Sequence, residues 1–350
     1  MELFTHGGDT YLKENMIDFS ANINPLGMPV SVQKALVESV KQYSSYPDPG
    51  CRQLIKQIAA YEQLDEKRII CGNGAADLIF RLVLALRPQR ALLLAPTFSE
   101  YEKALRVTGS SIQYEQLNAE ENFRLTKRVL EKLTKEIDFF ILCNPNNPTG
   151  QLVAPELLEQ ILQRCQENDI YLLVDECFLD FVQEKEYYQT QKYLNRGENQ
   201  RVMILKAFTK LYAMAGLRLG YLLCGQEELV EKLQDCAQAW SVSTPAQIAG
   251  IAALGEVEYR RKTIEYITTE REYLSNNIAT QGIRVYTSMT NFLLLQSDIP
   301  LEEELKKEKI LVRSCENFRG LDSSFYRIAV RTAKENKQLI QALERIRRNG

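Results

Sequence analysis

The middle of the chain alternates short apolar segments with longer amphipathic ones, and this alternation limits the possible folds most. The apolar segments are bounded by turn or polar residues, as strands buried on both faces are. They cover residues 68–71, 91–95, 138–143, 170–174, 202–205 and 220–224. Helical spacing of apolar residues lies between them, at 75–86, 99–107 and 155–167. The pattern predicts βαβ units and a mostly parallel sheet, that is, an α/β fold.

The pattern changes near residue 246, where a long charged helix and shorter strands replace the alternation. Strands are predicted at 282–286, 291–295, 310–312 and 325–330, and helices at 256–276, 301–308 and 334–347. We therefore expect three parts: an N-terminal arm at 1–30, a large domain at 31–245 and a smaller α+β domain at 246–350.

Composition excludes several functions. The 350 residues carry 43 Lys and Arg against 46 Asp and Glu, a net charge of −3, so no nucleic-acid partner is expected. One histidine and eight cysteines without a C-x-x-C pair predict reduced thiols and no metal site. No apolar run approaches the length of a membrane span, and the first 20 residues lack the apolar core of a signal peptide. We expect a soluble, cytoplasmic protein.

Four motifs lie at the ends of predicted strands. They are C-G-N-G-A-A-D at 71–77, N-P-N-N-P-T-G at 144–150, V-D-E at 174–176, and T-K at 209–210 followed by A-G-L-R-L-G at 215–220. Each alone has an ordinary explanation as a turn, a weakly specific carboxylate or a solvated lysine. The first is also a glycine-containing turn that enters a helix, and the free N–H groups of a helix N-terminus suit a phosphate.

Together the motifs fit pyridoxal 5′-phosphate (PLP). This cofactor needs a lysine for its aldehyde and an acid at its pyridine nitrogen. It also needs a site for a dianion and a donor near its phenolic oxygen. A phosphate cradle, an asparagine, an acid, a lysine and an arginine, each beside a strand end, supply this set.

On these motifs, the sequence resembles the fold-type I PLP enzymes of aminotransferase class I/II across essentially its whole length. Within them it is similar to the branch that holds L-threonine-O-3-phosphate decarboxylases and histidinol-phosphate aminotransferases. The arm, with H-G-G at 6–8 and D-F-S-A-N-I-N-P-L-G at 18–27, resembles the decarboxylases. The resemblance implies a large domain with a mostly parallel seven-stranded sheet, a smaller α+β C-terminal domain and a homodimer.

The resemblance also implies roles around the cofactor. Lys210 would bond the cofactor aldehyde and later move a proton, and Asp175 would keep the pyridine nitrogen protonated. Asn147 would donate to the phenolic oxygen, and Phe98 would stack on the ring unless it is simply a core residue. The cofactor phosphate would be bound by Gly74, Ala75, Ala76, Thr209 and Arg218, and by Tyr46 from the partner subunit.

On the substrate side, Arg327 would clamp the α-carboxylate, with Arg331 as the fallback. Arg313 would contact the substrate phosphate. His6 and the segment with Asn22 and Asn24 would close over the substrate, although a lone histidine in an arm is often merely exposed.

Two positions depart from the family pattern. Ala207 stands three residues before the lysine, where Ser or Thr usually binds the cofactor phosphate, so a hydrogen bond of about 1 kcal/mol is absent. Phe178 stands where a tyrosine often donates to the phenolic oxygen. Because that phenylalanine also occurs in decarboxylase-like members, it favours decarboxylation.

The reaction implied is decarboxylation of L-threonine O-3-phosphate to (R)-1-amino-2-propanol O-2-phosphate, which supplies the aminopropanol linker of cobalamin in the family resembled. Serine phosphate remains an alternative substrate. The alternative activities are those of a histidinol-phosphate aminotransferase or another class I/II transaminase. A protein that keeps the fold only for binding or regulation is a further alternative, against which the complete set of Lys210, Asp175, Asn147 and Arg218 argues.

Overall fold

The structure is a computed structural model that describes residues 6–8, 15–195 and 200–349. Its largest sheet has seven strands in the spatial order β2-β8-β7-β6-β5-β3-β4. The strands are β2 (Ile69–Gly72), β3 (Arg90–Ala95), β4 (Ser111–Gln116), β5 (Phe139–Cys143), β6 (Tyr171–Asp175), β7 (Val202–Ala207) and β8 (Gly220–Cys224). Strand β8 runs antiparallel to both of its neighbours, and the other pairs are parallel.

Helices cover both faces of this sheet because the central strands are buried on both sides. Along β3, Leu92 and Leu94 pack into one hydrophobic cluster, whereas Leu93 packs into a second cluster on the opposite face. The helices up to residue 254 are α1 (Val30–Glu38), α2 (Arg52–Glu62), α3 (Ala75–Leu86), α4 (Ser99–Val107), α5 (Val129–Lys132), α6 (Pro155–Glu167), α7 (Lys185–Tyr188), α8 (Gln191–Asn195), α9 (Glu227–Asp235) and α10 (Thr244–Leu254).

The structure confirms the α/β class and the mostly parallel seven-stranded sheet. All six strands predicted for this part of the chain are present, and α3, α4 and α6 have the predicted bounds. The sequence pattern missed β4. That strand lies at the edge of the sheet, where half of its residues are exposed and only Ile112 and Tyr114 are apolar or aromatic, so no apolar run marks it.

The C-terminal third builds a second sheet, which is antiparallel, in the order β12-β13-β10-β9. Its strands are β9 (Arg284–Val285), β10 (Phe292–Gln296), β12 (Arg313–Ser314) and β13 (Phe325–Ala329). The helices are α11 (Val257–Ala279), α12 (Leu301–Lys307) and α13 (Ala333–Asn349). This mixture of helices and strands agrees with the predicted α+β character, and the three domain boundaries stay predictions.

The N-terminal segment is bound to the C-terminal third. Strand β1 (Ile17–Asp18) pairs in parallel with β11 (Ile310–Leu311). A strand was predicted at 310–312, and no prediction was made of its pairing. Phe19 N–H donates to the Leu311 carbonyl over 2.8 Å, and Ala329 N–H donates to the Phe19 carbonyl over 2.7 Å. These bonds fix residues 17–19 between two strands and bring the following residues to the edge of the large sheet.

The eight cysteines are all unpaired, as predicted. Over the described ranges, no helix has both the length and the apolar character that crossing a bilayer requires.

Candidate active site

One cavity of about 460 Å³ lies at the carboxyl ends of β6 and β7, where open α/β sheets bind ligands. It brings together twelve of the residues that the sequence predicted. These are His6, Asn22, Ala75, Ala76, Phe98, Asn147, Asp175, Thr209, Lys210, Arg218, Arg313 and Arg327. Arm, large sheet and C-terminal sheet all contribute, so the site depends on the whole fold.

Lys210 follows β7 and lines this cavity. Burial, together with the positive charges of Arg327 and Arg218, lowers the pKa of Lys210 to about 8. About one tenth of the amine is therefore neutral at pH 7, far more than for a lysine with an ordinary pKa. A neutral amine can attack an aldehyde or accept a proton, whereas an ammonium group can do neither.

Asp175 ends β6 and is 5% exposed. Its Oδ1 accepts from the Cys177 N–H over 2.9 Å, and its Oδ2 accepts from the Tyr101 hydroxyl over 2.6 Å. Burial raises the pKa of Asp175, and these two hydrogen bonds oppose the rise. The carboxylate is thus held in one orientation at the floor of the cavity.

Asn147 and Arg327 are joined inside the cavity. Arg327 donates through Nη1 to Asn147 Oδ1 over 2.6 Å and through Nη2 to the Ser20 carbonyl over 2.9 Å. Arg327 Nε is buried and has no hydrogen-bond partner among the described residues. Burial lowers the pKa of Arg327 to about 10, so the guanidinium still carries its charge at neutral pH. A buried cation with an unused donor suits an incoming carboxylate.

The N-terminus of α3, where the sequence predicts a phosphate site, lies at the cavity. Gly74, with φ +84°, precedes the helix, and Ala75 and Ala76 line the cavity. A Cβ at Gly74 would lie 2.6 Å from Arg218 Nη2, so glycine is needed for the guanidinium to approach the helix end. A helix N-terminus beside an arginine is a site for a dianion.

The substrate side of the cavity holds further basic groups. His6 Nε2 lies 2.9 Å from Glu100 Oε1, and Lys103 Nζ lies 3.5 Å from the same oxygen. Arg313, on β12, stands over the Phe318 ring at 5.6 Å and donates to Asn317 Oδ1 over 2.7 Å. A second anionic group could therefore be bound away from the phosphate cradle.

Three residues whose side chains were predicted to belong to the site do not line the cavity. Asn24 is buried and donates to the Leu211 carbonyl over 2.7 Å and to Thr263 Oγ1 over 2.9 Å, outside the cavity lining. Arg331 lies beyond the end of β13 and pairs with Glu335 over 2.9 Å, so it does not reach the cavity.

Tyr46 is 77% exposed and stacks on Trp240, with ring centroids 4.3 Å apart. Its role in a partner's site stays a prediction.

The sequence analysis gave no individual role to nine other cavity residues, which are Gly7, Ser20, Ala21, Glu100, Tyr101, Lys103, Cys143, Cys177 and Phe318. The sequence spacing could have predicted one of them. Phe98 was predicted, and Tyr101, three residues later, falls on the same side of α4. Both departures from the family pattern, Ala207 and Phe178, line the cavity at the expected places.

The chain belongs to the aminotransferase class I and II family, whose pattern matches residues 14–346. It is therefore a PLP-dependent enzyme of that class. Its sequence is 37% identical to the threonine-phosphate decarboxylase of Salmonella typhimurium, over 95% of this chain and 92% of the relative. It is 29% identical to the histidinol-phosphate aminotransferase of Methanosphaera stadtmanae, over 96% and 92%.

Among solved structures, the histidinol-phosphate aminotransferase from Clostridium acetobutylicum is similar in fold, with a TM-score of 0.88. It is 30% identical in sequence, and the match covers 95% of this chain and 99% of that one. The resemblance inferred from the motifs is thus confirmed at the level of family, fold and cofactor.

The cavity fits PLP on its own features. The glycine turn at Gly74 and the Arg218 guanidinium match a phosphate, the buried Asp175 matches a protonated ring nitrogen, and Lys210 is neutral enough to bond an aldehyde. When bound, PLP accepts the electron pair released at the substrate's Cα.

Proposed function

We propose that this chain decarboxylates L-threonine O-3-phosphate to (R)-1-amino-2-propanol O-2-phosphate. The bond between Cα and the carboxylate carbon breaks and carbon dioxide leaves. A proton then takes the place of the carboxylate, so that the electron pair of the broken bond ends in a new Cα–H bond. No second substrate and no oxidant are needed. In the family resembled, this product supplies the aminopropanol linker of cobalamin.

One observation carries the proposal: the cavity holds three separate sets of basic groups. Arg218 with the α3 N-terminus matches the cofactor phosphate, and Arg327 matches a substrate carboxylate. Arg313 and His6 form a third set, which line the same cavity. A substrate with both a carboxylate and a phosphate would use the second and third sets, and the cofactor phosphate would use the first. The decarboxylase relative, at 37% identity, supports the same reading.

The chain's own residues would perform the following work. Arg327 binds the substrate carboxylate and, through Asn147 Oδ1, fixes the rotation of the Asn147 amide so that its Nδ2 group is left to donate. Asp175 holds a proton on the cofactor's ring nitrogen. Lys210 delivers the proton to Cα, because the cavity lowers the pKa of its amine to about 8.

A second candidate function is that of a histidinol-phosphate aminotransferase. The solved structure at 30% identity favours it, and histidinol phosphate also carries a phosphate. However, histidinol phosphate has no carboxylate, so Arg327 would have no partner in that substrate. A transaminase would instead use Arg327 to bind the 2-oxo acid that accepts the amino group.

The two functions differ in what they consume. PLP-loaded protein should release carbon dioxide from L-threonine O-3-phosphate with no 2-oxo acid present. Turnover of histidinol phosphate that depends strictly on 2-oxoglutarate, without gas release, would contradict the proposal. L-Serine O-phosphate belongs in the same assay, because one methyl group in a pocket discriminates only about 10–200-fold.

We also propose a homodimer. The segment from residue 37 to residue 46 exposes four large apolar side chains, which are Val37, Val40, Tyr43 and Tyr46, and Tyr46 stacks on the exposed Trp240. A partner subunit that covers Tyr46 would let it reach the partner's cofactor phosphate. Light scattering should give twice the chain mass, and Tyr46→Phe should weaken PLP binding. A monomer with full cofactor affinity would contradict this proposal.

A further inference from the structure

An acidic side chain lies at the substrate side of the cavity, where the proposed ligand is an anion. Glu100 is the second residue of α4 and its side chain is only 11% exposed. It lines the cavity together with His6, Lys103 and Arg313. A carboxylate close to a bound phosphate should repel it, so its presence among these bases needs a physical reason.

Glu100 is ionised and can therefore only accept hydrogen bonds. The bond from His6 is the main reason that the pKa of Glu100 lies below its usual value, and Lys103 acts in the same direction. Because Glu100 Oε1 lies 2.9 Å from His6 Nε2, that ring nitrogen must carry the proton. The Glu100 contact thus fixes the orientation of the imidazole, and when the ring carries its second proton, Nδ1 can donate to an anion.

The same oxygen also holds a second basic group. Lys103 lies one helical turn after Glu100, and its Nζ is 3.5 Å from Glu100 Oε1. His6 comes from the arm, whereas Lys103 comes from the large domain, so Glu100 is the point at which the two are joined. The Phe98 ring, 5.9 Å from the His6 ring, supports the imidazole from the side.

We propose that Glu100 is a positioning residue that sets specificity for a substrate phosphate, because it holds His6 and Lys103 at the cavity in the arrangement that binds a phosphate monoester dianion. This inference rests on the proposed function for the identity of the substrate. The binding of phosphate itself is independent of the proposed function, because it can be measured without turnover.

Two physical effects make opposite predictions for removal of Glu100. If the carboxylate acted only as a charge, its removal would lessen repulsion and tighten phosphate binding. If it positions His6 and Lys103, its removal releases both groups and weakens binding, since the arm loses its contact with α4. The sign of the change therefore decides between the two.

The test measures inorganic phosphate binding to PLP-loaded protein by calorimetry, with the cofactor phosphate already filling the cradle at Gly74. Glu100→Ala should weaken phosphate binding about tenfold, as expected for loss of a charge-assisted hydrogen bond. Glu100→Gln keeps an acceptor oxygen for His6 Nε2–H and should recover part of that loss. Equal or tighter phosphate binding by Glu100→Ala would overturn the proposal, and so would a failure of Glu100→Gln to recover any affinity.

Glu102 provides a matched control on the same helix. It pairs with Arg319 over 3.0 Å and lines a neighbouring cavity instead of this one. Glu102→Ala should leave phosphate affinity unchanged, and an equal loss in both variants would overturn the proposal, because damage to α4 would then explain it.

Turnover separates this inference from the proposed function. With L-threonine O-3-phosphate, Glu100→Ala should raise KM and leave kcat nearly unchanged, which a general loss of structure would not do. If the unaltered protein binds phosphate, and Glu100→Ala binds it more weakly, yet no substrate is decarboxylated, the inference stands and the proposed function fails. If the unaltered protein binds no phosphate, the inference fails.

Discussion

The Arg327 guanidinium donates a 2.6 Å hydrogen bond to the side-chain oxygen of Asn147. This bond joins a strand of the C-terminal sheet to the loop that follows β5. Both residues are buried, at 8% and 6% exposure, so the bond is shielded from water. The residue predicted to bind the substrate carboxylate and the residue predicted to bind the cofactor oxygen therefore act as one unit.

Asn147→Ala should weaken carboxylate ligands because Arg327 loses the acceptor that orients it. We expect the affinity of PLP-loaded protein for L-threonine to fall about tenfold, as for loss of a hydrogen bond to a charged group. The affinity for 1-amino-2-propanol, which has no carboxylate, should change much less. Equilibrium titration of both ligands measures this, and equal losses would show that Asn147 acts on the cofactor alone.

The lowered pKa of Lys210 predicts how the apoprotein reacts with PLP. Only the neutral amine bonds an aldehyde, so the attachment rate should rise with pH, reach half its maximum near pH 8 and then level off. An unperturbed lysine would keep gaining reactivity up to about pH 10.4. Borohydride trapping and mass spectrometry measure the attachment, with Lys210→Ala as the control that should not be labelled. A rate that still rises steeply above about pH 9.5 would contradict the lowered pKa.

Arg313→Ala should affect phosphorylated substrates selectively. We expect KM for L-threonine O-3-phosphate to rise about 10–100-fold, as for loss of a charge-assisted contact, while the KM for L-threonine changes little. Arg319→Ala is the matched control, because Arg319 pairs with Glu102 outside the cavity. If both substrates weaken equally in Arg313→Ala, Arg313 does not bind the phosphate.

A buried ion cluster behind the site predicts a stability effect. Lys206 Nζ lies 3.1 Å from Glu62 Oε1 and 3.7 Å from Glu176 Oε2, and all three side chains are almost fully buried. Lys206→Met would leave two buried carboxylates without their cation, so the free energy of unfolding should fall by about 3–5 kcal/mol. Urea denaturation measures it.

The control for the ion cluster removes the stranded charges as well. Adding Glu62→Gln and Glu176→Gln to Lys206→Met should restore part of the lost stability, since no uncompensated carboxylate remains. A loss below about 1 kcal/mol in Lys206→Met alone would mean that water or a shifted side chain satisfies both carboxylates.

The sequence could predict the residues that follow strands. Asp175 and Lys210 were found because an apolar run marks each strand, and parallel strands bring their carboxyl ends to one edge of the sheet. Their roles around the cofactor were implied by the resemblance to the family, which strand direction alone does not give. The bounds of α3, α4 and α6 could also be predicted from the sequence, because the spacing of their apolar residues is regular.

Contacts between distant segments could not be predicted in this way. Glu100 meets His6 across 94 residues of sequence, and no local pattern reports which part of the arm crosses α4. Asn24 and Arg331 show the converse. Both are polar residues in the expected segments, but packing gave them other partners, Thr263 and Glu335.

The central claim is that the bond from Cα to the carboxylate breaks, and a turnover in D₂O tests it most directly. PLP-loaded protein is incubated with L-threonine O-3-phosphate without a 2-oxo acid, and products are analysed by mass spectrometry after return to H₂O. The account predicts aminopropanol phosphate with one deuterium on carbon, and remaining substrate without any. Substrate that gains deuterium at Cα with no carbon dioxide released would contradict the account, because the Cα–H bond would then be the one that breaks.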